Sequence, residues 1–245
     1  VKTLVGIHAV REALRATPAR VQKVLLSASR RDPRTREISE LARAHGVPVF
    51  KEPPQTLDRL APGLKHQGVL AEMAPLPWLS PEELLARVPP PVLLVVLDEI
   101  EDPRNFGAIA RSVDAVGGHG LLVHERGQAP PSAVAVAASA GALLHLPCAR
   151  LKNIADGISF LKSRGVWVVG LSPSAPTLWS AFDYTVPVAL VLGSEGRGLR
   201  PRVAGACDAL VSLPVRGKVE SLNVSVAAGV VLYEALRQRA AKVQL

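Results

Sequence analysis

Five short apolar runs, VLLVVLD (92–98), GLLVH (120–124), VWVVGLS (166–172), VALVLGSE (188–195) and ALVSLP (209–214), recur through the last two thirds of the sequence, with helical segments between most of them. A strand that is apolar at nearly every position has no face to offer water. Such runs fit a sheet covered on both sides, and the intervening helices supply the cover. A parallel sheet follows, because a parallel pair needs a crossover long enough to hold a helix. The fold class is therefore α/β, and any ligand is expected at the carboxyl ends of the strands.

The pattern upstream alternates on a smaller scale: helix over 6–16, strand over 22–28, helix over 33–45, strand over 47–51, a short helix over 55–61 and a strand over 68–74. This reads as a small α/β sandwich. Between the two regions lies APLPWLSPEELLARVPPP (74–91), whose six prolines interrupt periodic structure on either side. The expected organisation is a domain over 1–76, a proline-rich linker over 77–91 with one short helix, and a second domain over 92–245. A chain of 245 residues that is 48% apolar can bury such cores. Its first residues lack the apolar core of a signal peptide, no run is long enough to span a membrane, and Cys148 and Cys207 form neither a disulfide framework nor a zinc spacing. A soluble, cytoplasmic protein is expected.

The formal net charge of +8 favours a polyanionic partner such as nucleic acid, and its distribution says more than its size. Residues 1–78 carry 13 Lys and Arg against 7 Asp and Glu, whereas residues 79–245 carry 16 against 14. The excess sits in the first third.

Three stretches join strand ends to Gly, Asn, Ser or charge. In DEIEDPRNFGAIARSVDAVGG (98–118), Phe106, Ile109, Ala110, Val113 and Val116 form the apolar stripe of a helix, and Asn105 is placed to cap it. Arg104 and Arg111 lie seven apart on one face, with Gly107 and Ala108 between them; they form either a shallow positive surface for a ligand or a pair of solvated arginines. In VLGSEGRGL (191–199), Gly193, Gly196 and Gly198 permit positive φ and close backbone approach, and Glu195 could orient a polar group. The order of these glycines is not the dinucleotide fingerprint. In LPVRGKVESLNVSVAAG (213–229), Ser221 fits a cap for a helix running to about Lys242, while Asn223 would then sit inside it and need a partner, which a ligand or Glu195 would supply. That helix is apolar nearly all round its first half, which points to burial in a large core or in a subunit interface, and Ala227, Ala228 and Gly229, which allow close approach, favour the interface.

Of the other chemistries weighed, no metal is expected, because the six histidines show no ligand spacing, and neither a nucleophile elbow nor a phosphate loop occurs. KHQGV (65–69) could touch RNA or be a plain loop.

Together and in this order, DPRNFGAIARS, VLGSEGRGL and LPVRGKVESLNVSVAAG resemble the three motifs of the SpoU (TrmH) family of SPOUT RNA methyltransferases, over about 92–237. The upstream region, with GIHAVREAL and KHQGV, is similar to the RNA-binding extension of members that methylate large-subunit (23S) rRNA, which resembles kink-turn-binding ribosomal proteins. The resemblance implies a C-terminal α/β trefoil knot and a homodimer. It also implies S-adenosylmethionine held by Leu192, Gly193, Glu195, Gly196, Leu213, Pro214, Arg216, Ser221, Leu222 and Asn223. Arg111, Asn105, Glu195, Ser221 and Asn223 become the expected catalytic set, with Arg111 as the family's proton acceptor, or as a cation gripping phosphate and developing alkoxide. Lys65, His66, Gln67, Arg30, Arg31, Arg104 and Arg111 become the expected RNA contacts. The expected reaction is 2′-O-ribose methylation of a 23S rRNA guanosine. Its rivals are a tRNA or rRNA-adenosine 2′-O-methyltransferase of the antibiotic-resistance type, and a non-catalytic RNA-binding assembly factor.

Overall fold

A computed structural model describes residues 3–75, 77–126, 129 and 131–243, the side chain of Val243 excepted. The chain divides into two compact units, 1–77 with 130–145, and 78–129 with 146–245.

The first unit runs β1 (Thr3–Val5), α1 (Ile7–Ala16), β2 (Val21–Ser27), α2 (Pro33–Ala44), β3 (Val49–Glu52), α3 (Pro54–Leu60) and β4 (Val69–Met73). Its sheet has the order β1-β4-β2-β3, antiparallel except for the β2–β3 pair. β1 is too short to register as a period in the sequence. Helix α1 buries Ile7, Ala9, Val10, Ala13 and Leu14, the i, i+3, i+4 stripe that lets one face join the core while Arg11 and Arg15 reach Glu37 on α2. Asp32 starts α2 by accepting from Arg34 N and Thr35 N at 3.1 Å, with Pro33 filling the first helical position, where no amide hydrogen is needed.

The second unit opens with α4 (Pro81–Arg87), β5 (Leu93–Leu97), α5 (Pro103–Ala115) and β6 (Gly120–His124). After β6, residues 130–145, with α6 (Ala133–Ala138), belong to the first unit, although the sequence pattern assigns them to the second. An alanine-rich helix fits either core by composition, so its periodicity carries no address. The second unit then continues with β7 (Cys148–Leu151), α7 (Ile154–Ser163), β8 (Trp167–Leu171), β9 (Thr177–Leu178), β10 (Val188–Leu192), α8 (Pro201–Ala206), β11 (Ala209–Ser212) and α9 (Val224–Val243). Its seven strands pair in the order β7-β6-β5-β10-β8-β11-β9, parallel throughout. The five expected strands are its interior; the two unforeseen ones, β7 and β9, are short edges with exposed positions and no continuous apolar run.

The proline-rich stretch is more than a linker. Ser80 and Glu83 form a reciprocal capping box on α4, and Leu79 and Leu84 are buried in one cluster with Leu94, Val96, Leu122 and Ala149 of the sheet. Truncating a fully buried leucine such as Leu84 costs about 2–5 kcal/mol. The prolines therefore bracket an element of the second core. No described helix is long and apolar enough to cross a membrane.

Candidate active site

The carboxyl ends of β5, β8, β10 and β11 gather the three singled-out stretches. Helix α5 does not start where its sequence suggests. Asp102, not Asn105, is the cap, its Oδ1 accepting from Arg104 N at 2.8 Å, because Pro103 can occupy the first helical position. Asn105 is thereby carried into the helix and buried.

The last helix is also displaced. Ser221 does not cap it; Asn223 does, with Oδ1 accepting from Ser225 N at 2.9 Å and Val226 N at 3.4 Å. The other half of the same side chain faces the site. Asn223 Nδ2 donates to Glu195 Oε1 at 2.6 Å and to Asn105 Oδ1 at 3.1 Å, while Asn105 Nδ2 donates to Glu195 Oε1 at 2.8 Å. One carboxylate oxygen thus accepts from two side-chain amides, each from a different stretch. Bonds to an ionised acceptor are among the stronger ones.

The loop bearing Glu195 is folded on itself. Gly198 N donates to Ser194 O at 2.9 Å, and a Cβ on Gly193 would lie 2.2 Å from the Gly198 carbonyl carbon, so only glycine fits at 193. Gly196 and Gly198 have φ of +82° and +67°, left-handed values that side chains resist.

Two cavities flank this junction. One, of about 240 Å³, is walled by Leu192, Gly193, Glu195, Gly196, Leu213, Ser221, Leu222 and Asn223 among the expected residues. Pro214 and Arg216 do not line it; Val215 between them does, since neighbouring residues of an extended loop point opposite ways. Leu171, Ser172 and Pro173, at the end of β8 on the same sheet edge, also line it, as do Ser194, Gly198, Val224 and Ala227; all lie outside the expected set, though the strand-end rule applies to the first three equally. The second cavity, of about 260 Å³, is lined by Glu99, Ile100, Glu101, Asp102, Asn105, Ser194, Glu195, Arg197 and Val224.

Arg104 and Arg111 are exposed on α5 and line neither cavity; between them Gly107 is buried and Ala108 half-buried. Helix α9 packs beside α5, where a Cβ on Gly229 would come 3.7 Å from Ser112 Oγ. Its outer face leaves Val226, Val230, Tyr233 and Leu236 between 37% and 55% exposed.

In the first unit, Arg30 Nη1 donates to Gln67 O, Arg30 also pairs with Asp32 at 3.1 Å, and His66 joins Asp58 at 2.9 Å while its Nδ1 accepts from Gly68 N. Arg30, His66 and Gln67 are thus brought together. Lys65 and Arg31 are exposed. Burial pushes the Cys148 and Cys207 thiols up to about 12, which keeps both protonated and unreactive near neutrality. Among the described residues there is no group of three or more His, Cys, Asp or Glu that could hold a metal ion.

Residues 92–233 match the SpoU rRNA Methylase family, and residues 3–79 match the family described as RNA 2′-O ribose methyltransferase substrate binding. A Mycobacterium ulcerans protein described as an uncharacterized tRNA/rRNA methyltransferase is 43% identical over 241 residues, covering 97% of this chain and 77% of the relative. Among solved structures, the SpoU methyltransferase AviRb from Streptomyces viridochromogenes superposes with a TM-score of 0.82 at 28% identity, over 98% of this chain and 90% of that one. The AdoMet-bound rRNA methyltransferase from Sinorhizobium meliloti gives 0.79 at 26% identity, over 96% and 87%. With its three motif stretches meeting at Glu195, the chain belongs to the SpoU rRNA methylase family.

Proposed function

We propose that this S-adenosylmethionine-dependent RNA 2′-O-methyltransferase acts on a guanosine of large-subunit rRNA, in the cytoplasm, as a homodimer whose catalytic unit is a trefoil knot. The observation that carries the reading is the shared acceptor Glu195, tied to Asn105 and Asn223 beside a cavity suited to a nucleoside. The cavity fits the cofactor by its chemistry: Leu171, Leu192, Leu213, Val215, Leu222 and Ala227 offer apolar surface to a purine, and strand-end backbone with the Ser172 and Ser221 hydroxyls offers polar groups. Pro214 and Arg216 are left out of that set.

When bound, S-adenosylmethionine supplies an electrophilic methyl group. The chain's part is alignment and charge. Asn105 and Asn223 fix Glu195, Ser221 faces the cofactor cavity, and Arg111 holds the RNA phosphate and favours the developing alkoxide. A guanidinium stays charged at every working pH, so Arg111 suits a cation that favours the alkoxide, and the 2′-hydroxyl proton leaves to solvent water as the methyl group is taken up. The homodimer draws support from the exposed apolar face of α9 next to the arginines of α5, which would bring Arg111 of one copy toward the other's site. The knot draws support from β10, which lies between β5 and β8 although both precede it in the chain.

Large-subunit rRNA is favoured by the basic first third, by the substrate-binding match over 3–79, and by full-length similarity to an rRNA methyltransferase. Guanosine is favoured by the second cavity. Glu101 there is 69% exposed and, among the described residues, held only by a long, exposed 3.7 Å pair with Arg197, and a carboxylate can accept from the adjacent N1–H and N2–H of guanine, a pair of donors that no other RNA base presents. A tRNA substrate is the second reading, since the description of the 43% identical relative names tRNA beside rRNA. Incubation with methyl-labelled cofactor and separate transcripts of 23S rRNA and tRNA distinguishes the two. We expect label in 23S rRNA alone; label confined to tRNA would overturn the substrate, and label in neither would overturn the activity.

A further inference from the structure

Glu195 can accept from two amides only while its loop is held still, and that loop's far end is anchored by charge. At the end of β5, Asp98 N donates to Leu192 O at 2.8 Å, and the Asp98 side chain is fully buried. Arg200, just past the loop, meets it twice: Nη2 lies 2.6 Å from Asp98 Oδ1, and the backbone N donates to Oδ2 at 3.3 Å. Arg200 Nη1 also lies 3.1 Å from Glu99 Oε1, and Glu99 has a left-handed φ of +61°. A buried carboxylate without its partner is strongly disfavoured, which favours keeping Arg200 at this position. β10 fixes the residue before the loop and Asp98 the residue after it, which leaves the turn between little freedom.

We propose that Arg200, held by Asp98, is a positioning residue: it sets the conformation in which Glu195 accepts from both Asn105 and Asn223. None of the three motif cores contains this arginine, and it lines neither cavity. The inference rests on the reading of Glu195 as part of the active site, and the experiment separates the two.

The chain has three asparagines, so protein labelled with ¹⁵N at asparagine alone shows three side-chain amide pairs, from Asn105, Asn153 and Asn223. Asn153 caps α7 and serves as the internal control. In Arg200→Gln we expect the Asn105 and Asn223 amide protons to move toward their positions in Glu195→Ala, Asn153 to stay in place, and methyl transfer to fall about 10-fold. Arg200→Lys, which keeps the charge but not the two-pronged geometry, should lie between them and guards against a misfolded variant. Unmoved Asn105 and Asn223 signals in Arg200→Gln overturn the proposal, as does movement of all three pairs, which marks a general structural role. Full transfer by Glu195→Ala overturns instead the reading on which it rests.

Discussion

Asn223 divides its side chain between two tasks. Its oxygen caps α9 and its nitrogen ties Glu195 to Asn105. Serine caps a helix about as well as asparagine but brings no amide donors. Asn223→Ser should therefore leave the thermal midpoint nearly unchanged while lowering methyl transfer about 10-fold or more, measured by melting and by labelled-cofactor assay; equal loss of both would assign the residue to stability alone. Scarcity makes the residue visible in the sequence, since a chain with so few asparagines rarely places one beside an apolar helix without cause. Its cap is not visible there, because the same polar pattern fits a helix beginning at Ser221. Asp98 and Arg200 are not legible at all: nothing local in the sequence marks two charges 102 residues apart as partners.

Elements differ in how openly they are written. Interior strands of the second sheet can be read directly, because burial on both faces demands unbroken apolar runs. Edge strands β7 and β9 face weaker demands and leave no such trace. Helix α5 begins earlier than its sequence suggests, the Asp-Pro pair being a better start than the asparagine that follows. Helix α9 shows an apolar inner face and an apolar outer one, and the second needs cover. If α9 forms the proposed dimer interface, Val230→Glu, at a position 39% exposed, leaves the protomer folded but halves the mass seen by light scattering and suppresses transfer. A variant with unchanged mass would overturn the proposed interface on α9.

At the scale of the whole molecule, charge is the feature that best foretells division of labour. The basic first third corresponds to the substrate-binding match, and the nearly neutral remainder to the methylase match. Residues 130–145 escape that reading because chain order is a weak guide to which core a small apolar helix joins. The central claim is chemical: three stretches converge on Glu195 to methylate a ribose oxygen. Mass spectrometry of nucleosides from digested 23S rRNA, treated with wild-type protein and with Glu195→Ala, addresses it most directly. We expect 2′-O-methylguanosine from the wild type and none from the variant, which should still bind S-adenosylmethionine; a base-methylated nucleoside, or undiminished 2′-O-methylguanosine from Glu195→Ala, would contradict it.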